Sequence, residues 1–429
     1  MEIIEKTNRR FSRFALPRMG YLLALCIVLG LSGGVMLDRI LLMALVPSSA
    51  VSDFRLISEA WNIIERHYVD HAAAKPRTLT YGAISGMVDS LGDTGHSTFL
   101  TPEMVKQVNE FERGHYQGIG AEVQIKEGHV VIVAPIDGSP AQQAHLQPGD
   151  MILKVDDRDI TGLPLSQVVA RISGPPGTKV TLTILNPVTG KTRDVTLVRA
   201  SIELDEITWQ LLPGTQVVQL RIASFNEGVA DNLKKALIEI KREMPIGLVL
   251  DLRNNPGGIL NEAIATASQF LTNGNVLLEK NAKGKIKPIP VKIGAELPNL
   301  PMVVLVNGGS ASAAEIVAGA LQDAKRAPLV GETTFGTGTV LSEFPLSDGS
   351  ALLLAIQEWL TPDGHTIWHK GITPNVTIAL PPNVVPLYPE AERDMTAAQL
   401  EASKDDQLLR AINMLTQIPH QAFQWPHQP

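Results

Sequence analysis

The stretch Val303-Val-Leu-Val-Asn-Gly-Gly-Ser-Ala-Ser-Ala-Ala-Glu-Ile-Val-Ala-Gly-Ala-Leu-Gln-Asp323 joins an apolar run to a helical pattern through small residues. The β-branched run 303–306 predicts a buried strand. Apolar residues then recur at helical spacing, at Ile316, Val317, Ala320 and Leu321. A serine at such a junction, as Ser312 is, lies where the first helical N–H groups lack partners and the helix dipole is positive. The stretch therefore predicts strand, tight turn and helix, with Ser312 as a candidate nucleophile.

Ser312 also fits a purely structural interpretation. Ser312-Ala-Ala-Glu315 has the S-x-x-E spacing of a capping box, in which the serine accepts from a backbone N–H and the glutamate reaches back to the cap. On local pattern alone the cap is the commoner arrangement, because many helices begin this way and few carry a catalytic serine. Both interpretations stay open at this level.

Composition limits the function classes. With 429 residues, of which 44% are hydrophobic and 19% charged, the chain is long enough for two or three domains with cores of their own. The net charge of −7 is spread without long runs, which predicts no nucleic-acid partner. The single cysteine, Cys26, excludes a disulfide within one chain. No metal-ligand cluster or phosphate-binding loop stands out, so we expect neither a metal nor a cofactor.

The N-terminus carries a membrane-targeting pattern. Residues 1–18 are basic, and residues 19–37 contain no charge before Asp38, a length that just spans a bilayer. The basic flank predicts a cytoplasmic tail, a single-pass signal anchor in the cell membrane, and the remainder on the extracytoplasmic side. A cleaved signal peptide is the competing interpretation because Ser32-Gly-Gly34 offers small residues. The apolar stretch is longer than a usual signal-peptide core, which favours the anchor.

Two regions with different patterns follow the anchor. Residues 52–112 have a helical pattern, with an apolar stripe at Phe54, Ile57, Trp61 and Ile64. His96 lies in a turn-rich segment of that region and is interpreted as structural. Residues 113–200 contain short strands, a helix over 165–172 and the turn Pro148-Gly-Asp150. This second region resembles a PDZ domain.

The PDZ resemblance implies a peptide-binding loop. Tyr116-Gln-Gly-Ile-Gly-Ala121 matches the carboxylate-binding loop, so the residues carried over are Tyr116, Gly118, Ile119 and Gly120. Such a loop presents backbone N–H groups to a chain-terminal carboxylate while the peptide adds as a strand to the sheet edge. The implied partners are proteins with unstructured, apolar C-terminal tails.

Residues 201–382 alternate strands and helices, which predicts a largely parallel sheet covered by helices within a multidomain α/β chain. One strand runs into Arg253-Asn-Asn-Pro-Gly-Gly258. Glycines at a strand's C-terminal end let backbone N–H groups face outward, as an oxyanion hole requires. Taken alone, the turn is more simply a strand-to-helix connection.

Four motifs that follow the PDZ-like region in sequence resemble those of the S41 family of C-terminal processing, or tail-specific, serine peptidases. They are Asp251-Leu-Arg-Asn-Asn-Pro-Gly-Gly258, Gly309-Ser-Ala-Ser-Ala-Ala-Glu-Ile316, Gln322-Asp323 and Gly331-Glu-Thr-Thr-Phe-Gly336. The resemblance covers roughly residues 54–415. It implies Ser312 as nucleophile, the backbone N–H groups of Gly258 and Ala313 as oxyanion donors, and Asp323 in a supporting role.

The chain departs from the family at the general base. Where the family has Phe-Gly-Lys-Gly-Thr-Val-Gln, this chain reads Phe335-Gly-Thr-Gly-Thr-Val-Leu341. Thr337 thus replaces the base lysine, and Leu341 replaces the glutamine that orients it. Burial can lower a lysine pKa from about 10.4 toward neutrality, whereas a threonine hydroxyl cannot accept and hold the proton of a serine. Substitutes would be Lys370, His365 or His369, which are otherwise surface residues.

These patterns lead to one functional hypothesis and one rival. The first is a membrane-anchored serine peptidase that captures C-terminal tails in its PDZ domain and hydrolyses peptide bonds through Ser312. The rival is a catalytically impaired S41 homologue that acts as a tail-binding adaptor. Residues 383–429 are expected to form a proline-rich linker and one helix from about 396 to 415, which packs on the body or mediates self-association.

Overall fold

The structure is a computed structural model that describes residues 50–93, 97–112, 115–126, 128–136, 138–163, 165–203, 206–381 and 384–417. The predicted tail 1–18, the predicted membrane segment 19–37 and His96 lie outside the described residues. Among the residues described, no helix is long and apolar enough to span a membrane. The anchor therefore stays a prediction.

The chain divides into two units, Met1–Thr80 and Tyr81–Pro429. The first elements are α1 (Val51–His67), α2 (Pro76–Asp89), β1 (Thr98–Leu100), α3 (Pro102–Glu112) and β2 (His115–Gly118). Helix α1 carries the predicted apolar stripe. None of its residues is buried, and Phe54, Ile57 and Ile64 are exposed, so the stripe contributes to no core among the described residues.

A PDZ domain follows, as the sequence predicted. Its elements are β3 (Ala121–Lys126), β4 (His129–Pro135), α4 (Pro140–Gln143), β5 (Met151–Val155), β6 (Arg158–Asp159), α5 (Leu165–Ile172), β7 (Lys179–Asn186) and β8 (Lys191–Val198). The sheet order is β3-β4-β5-β7-β8, with β6 paired to β5, so β3 forms one edge. Alternate residues such as Ile132, Leu182 and Ile184 fill the core of this domain.

The larger region is an α/β layer structure. Its elements are β9 (Ala200–Glu203), β10 (Ile207–Leu211), β11 (Val217–Ile222), α6 (Val229–Arg242), β12 (Gly247–Asp251), α7 (Leu260–Ala267), β13 (Asn275–Asn281), β14 (Ile286–Pro290), β15 (Met302–Val306), α8 (Ala313–Asp323), β16 (Leu329–Gly331), β17 (Thr339–Pro345), β18 (Ala351–Leu360) and β19 (Val376–Thr377).

The main sheet has the order β10-β11-β12-β15-β16-β19. All of its pairs are parallel except β10 with β11, which agrees with the predicted largely parallel sheet. Strands β12 and β15 are wholly buried because helices cover both faces. The carboxyl ends of β12 and β15 therefore bring the 253–258 turn and the Ser312 loop to the same sheet edge.

A second, antiparallel sheet was not predicted. It has the order β1-β18-β13-β14, with β17 also paired to β18. Strands β17 and β18 form a hairpin that turns at Asp348-Gly349, where Gly349 has φ 85°. The alternating strand and helix pattern concealed this hairpin because both of its strands are only partly buried.

The prediction of one C-terminal helix from about 396 to 415 was wrong. The structure has three short helices, α9 (Pro389–Glu392), α10 (Ala397–Glu401) and α11 (Asp406–Thr416). The break occurs because Asp405 caps a new helix, its side chain accepting from the Leu408 N–H at 3.0 Å. Leu408, Ile412 and Leu415 are buried against the β12 and β15 face of the main sheet.

Candidate active site

Ser312 lies between β15 and α8 in a strained backbone conformation. Its φ is 50° and its ψ is −116°, which residues with a Cβ seldom adopt. Such strain costs about 1–3 kcal/mol and persists only where surrounding contacts enforce it. The preceding loop supplies these contacts, since the buried Ser310 hydroxyl donates to the Leu252 carbonyl at 2.8 Å and accepts from the Asn307 N–H at 2.9 Å.

The capping box predicted at Ser312 and Glu315 is present, with its serine arm too loose to count as a side-chain capping hydrogen bond. The Glu315 carboxylate accepts from the Ser312 N–H at 3.0 Å, as in a capping box. The Ser312 hydroxyl makes no side-chain capping hydrogen bond of normal geometry. Ser312 is half-buried rather than enclosed.

The turn after β12 packs directly on Ser312. A Cβ added to Gly257, whose φ is 106°, would lie 2.6 Å from the Ser312 Cβ and 3.0 Å from the Ala313 nitrogen. Only glycine allows this approach. Asn255 fixes the turn, because its Oδ1 accepts from the Gly257 N–H at 2.8 Å and its carbonyl accepts from the Ala311 N–H at 2.9 Å.

Both predicted oxyanion donors lie at this junction. Gly258 is exposed, with φ 137°, and forms a bridge with Phe225, while Ala313 opens helix α8. Within the described residues, neither the Gly258 N–H nor the Ala313 N–H has a hydrogen-bond acceptor. Two unpaired amides beside a serine are what an oxyanion hole needs, although their joint role remains a prediction.

Glu315 joins the nucleophile to the loop that carries Thr337. This fully buried carboxylate accepts at Oε1 from the Thr334 hydroxyl at 2.5 Å and the Gly336 N–H at 2.8 Å. Its Oε2 accepts from the Thr337 N–H at 2.9 Å as well as from Ser312. Burial raises the pKa of Glu315, and the four hydrogen bonds oppose that rise. One carboxylate oxygen therefore holds residues 312 and 337 side by side.

The Thr337 side chain is enclosed and unpaired. It is 3% exposed, and its hydroxyl has no partner among the described residues. Leu341, in contrast, is 37% exposed at a bulge in β17. The position that the family fills with lysine thus lies beside Ser312 and contains no group that titrates near neutral pH.

The candidate substitute bases fall into two places. His365 lies 3.8 Å from Asp323, at the opposite end of α8 from Ser312, and is exposed. Asp323 also accepts from the Asp363 N–H at 2.8 Å, so its contacts support the 363–365 loop. Lys370 and His369 are exposed residues of a loop that packs on Gly336, where the Gly336 carbonyl accepts from the His369 N–H at 2.9 Å.

The predicted peptide-binding loop of the PDZ domain contains a glycine with positive φ and two backbone N–H groups without acceptors among the residues described. Gly120 has φ 75°, and an added Cβ there would overlap the Ser139 side chain. Ile119 is 1% exposed and packs in the PDZ core, while the Tyr116 backbone in β2 pairs with Ile202 in β9. Gly118 ends β2, and the N–H groups of Ile119 and Gly120 have no acceptor among the residues described.

The PDZ domain also contacts the nucleophile loop. A Cβ added to Gly309 would come 2.9 Å from Pro148 Cγ, in the Pro-Gly-Asp turn, and 2.8 Å from Asn254 Oδ1. No feature of the sequence predicted this contact. The PDZ domain therefore packs directly on the loop that leads to Ser312.

Two comparisons with known sequences match these observations. The profile of peptidase family S41 matches residues 216–378, and that of the PDZ domain matches residues 131–186. The carboxy-terminal processing protease CtpA of Bacillus subtilis is 36% identical over 346 residues, which cover 81% of this chain and 73% of that protein. The chain belongs to the S41 family of carboxy-terminal processing peptidases.

Further S41 relatives agree over most of the chain. The carboxyl-terminal-processing protease of a Synechocystis species is 33% identical over 383 residues, covering 84% of this chain and 86% of that protein. A probable CtpA-like serine protease of Staphylococcus epidermidis is 38% identical, and the match covers 65% of its length. Among solved structures, a photosystem II D1 C-terminal processing protease superposes with a TM-score of 0.66 at 29% identity, covering 81% of this chain and 96% of that one.

Proposed function

We propose that this S41 protein binds unstructured C-terminal tails through its PDZ domain and hydrolyses them slowly at Ser312. One observation carries the proposal: the strained Ser312 lies against the Gly257 turn, with the Gly258 and Ala313 amides unpaired. A protein that only needed a helix cap would not require this backbone conformation. Residues 19–37 are proposed to anchor the chain, with the peptidase on the extracytoplasmic side.

The proposed chemistry is acyl transfer. The Ser312 Oγ attacks the scissile carbonyl carbon, and the oxyanion is stabilised by the Gly258 and Ala313 N–H groups together with the positive end of α8. The C–N bond then breaks, the leaving amine takes up a proton, and water hydrolyses the ester to restore Ser312. Attack by the Ser312 hydroxyl and attack by water each need a group that accepts the proton of the attacking oxygen.

The described residues contain no obvious acceptor next to Ser312. Thr337 cannot hold the proton, and both oxygens of Glu315 are occupied by two hydrogen bonds each. Charge stabilisation and binding alone still give about 10³–10⁴ over the uncatalysed rate in serine peptidases that lack their triad. We therefore propose slow hydrolysis with water as the proton acceptor.

A tail-binding adaptor is the second candidate, and the buried Thr337 favours it. The hydroxyl at that position is sealed from solvent, so its surroundings accommodate a small side chain in place of a lysine. The β3 edge and the 118–120 loop could then bind tails without turnover.

One experiment separates the two candidates. The full chain, in detergent, is incubated with a folded protein that ends in an unstructured apolar tail, and both tail binding and shortening are measured. We expect slow shortening that Ser312→Ala abolishes without weakening binding, while Ser347→Ala, at an exposed hairpin turn, changes neither. Binding without any Ser312-dependent shortening would reject hydrolysis and support the adaptor.

A further inference from the structure

A buried set of charges lies behind the oxyanion turn. Arg253 is fully buried, with Nη2 2.6 Å from Asp251 Oδ2 and Nη1 2.8 Å from Asp405 Oδ2. Arg221, 2% exposed, lies 3.9 Å from Asp251 and with its guanidinium 3.6 Å from the centre of the Tyr388 ring. The two arginines balance the two aspartates, so this set is neutral when nothing else is charged.

Glu392 is a fifth ionisable group in the same interior. It is fully buried on α9, and neither carboxylate oxygen has a hydrogen-bond partner among the described residues. Asp251, Asp405 and Glu390 act on it as like charges, while Arg253 is the opposing charge. An ionised Glu392 would therefore add an uncompensated negative charge to a balanced set. Burial, with the nearby Asp251, raises the pKa of Glu392 to about 8.

The segment that carries Glu392 is bound to the oxyanion turn. The Tyr388 hydroxyl accepts from Asn254 Nδ2 at 2.9 Å, and the Leu387 carbonyl accepts from Arg253 Nη2 at 3.1 Å. Asn254 continues the chain of contacts, since its N–H donates to Asn307 Oδ1 at 2.9 Å. The same Asn307 oxygen accepts from the Gly309 N–H at 3.0 Å, three residues before Ser312.

We propose that residues 387–405 form a pH-sensitive clamp on the oxyanion turn, held closed while Glu392 is protonated and oriented through Tyr388 as a positioning residue. We call these residues the C-terminal clamp. Any effect of the clamp on hydrolysis rests on the proposed function, whereas its opening does not.

The direction of the pH effect follows from the two states of Glu392. In the closed clamp its pKa is about 8, and in an open, solvated clamp it returns to its ordinary value of 4.5. Between these values the closed state holds a proton that the open state has lost. Closure is therefore weakened by rising pH, by up to about tenfold per pH unit, and the dependence ends above the closed-state pKa.

Amide hydrogen exchange of the full chain in detergent, corrected for intrinsic rates, tests the clamp at pH 6.5 and 8.0. We expect protection at residues 384–405 and 252–258 to fall at least about tenfold between these pH values. Glu401→Gln, at an exposed position of the same segment that does not act on Glu392, should behave like wild type. Glu392→Gln should show no fall, and Glu392→Met serves the same purpose if the glutamine variant does not fold. A wild type without pH dependence, or neutral variants that keep it, would overturn the clamp.

Tyr388→Phe tests the positioning role separately. The ring stays over Arg221, and the hydrogen bond from Asn254 Nδ2 to the Tyr388 hydroxyl is removed. We expect protection at residues 252–258 to fall about fivefold at pH 6.5, the loss of one hydrogen bond, while residues 384–405 keep their wild-type pH dependence. Unchanged protection of the turn would overturn the role of Tyr388. Neither measurement uses turnover, so an inactive Ser312 site would leave both results interpretable.

Discussion

Two parts of the site have diverged to different degrees. The Ser312 loop and the 253–258 turn keep the strained serine, the glycine contact and the two unpaired amides. The 335–341 loop keeps its backbone position through Glu315 but has Thr337 and Leu341 where the family has lysine and glutamine. In the proposed function, the first part would stabilise negative charge, and the second is where the family moves a proton. The first part is thus present in this chain without the side chains of the second.

The largest expected effect on hydrolysis comes from restoring lysine and glutamine in the 335–341 loop. If the Glu315 contacts hold the 337 backbone correctly, Thr337→Lys with Leu341→Gln should raise tail hydrolysis by about 10²–10⁴, the usual contribution of a general base. The enclosed position should lower the pKa of the introduced lysine. Initial rates of tail shortening measure the change, and the same pair in a Ser312→Ala background is the control. A folded variant without any rise would show that the loop has lost its productive geometry.

The second-largest expected effect comes from disturbing the contact between the 253–258 turn and Ser312. Gly257→Ala places a Cβ against Ser312 at a φ of 106°, so we expect loss of hydrolysis and a fall of about 2 kcal/mol in the free energy of unfolding. Denaturant unfolding and tail shortening measure the two quantities. Gly308→Ala is the matched control, because an added Cβ there meets nothing within 4 Å. Equal effects of the two substitutions would contradict the close packing of turn and serine.

A smaller effect concerns β3, the strand to which both proposed functions assign tail binding. Burial raises the pKa of Glu122 on β3 to about 7, and the hydrogen bond from Gln124 opposes the rise. Above that pH an ionised Glu122 repels a tail carboxylate, so affinity should fall by about threefold between pH 6 and 8 in partly screened surroundings. Fluorescence anisotropy of a labelled tail peptide tests this, and Glu122→Gln should bind independently of pH. An amidated tail peptide, lacking the carboxylate, should show less of the effect.

The smallest expected effect concerns Lys370. Although its loop packs on Gly336, the Lys370 side chain is exposed, and a general base must lie within hydrogen-bond reach of the proton that it accepts. We expect Lys370→Met to leave slow hydrolysis within about twofold of wild type. If Lys370→Met abolished hydrolysis as completely as Ser312→Ala, Lys370 would be identified as the base. The site would then contain both a charge-stabilising part and a proton acceptor.

The sequence predicted the PDZ domain, the parallel sheet and the strand-turn-helix at Ser312, because each depends on local periodicity and turn residues. It did not predict the antiparallel β17–β18 hairpin, whose partly buried strands lack a clear pattern. Within the site, the spacing of Ser312 and Glu315 was recognised only as a possible cap. The role of Glu315 as a shared acceptor depends on a loop about twenty residues later, and such long-range contacts leave no local signal.

The contact between Tyr388 and Asn254 was missed for the same reason. The residues lie 134 positions apart, and Tyr388 falls in the part of residues 383–429 that the sequence predicts only as a proline-rich linker. A signal was present in Arg253, since a charged residue two positions after a buried strand needs a partner, and the nearby sequence supplies only Asp251. Its second carboxylate comes from Asp405, where the C-terminal helix was expected to continue.

The unpaired edge of β3 also makes self-association possible. In the described sheet this strand pairs only with β4, so its outward amides and carbonyls can accept any extended chain, including the same edge of another copy. The bulge at Glu122 and Val123 twists that edge and makes long, flat self-pairing harder. Under the proposed function, the form without a bound tail is therefore the one that can pair with another copy at this edge, and a bound tail would block that pairing.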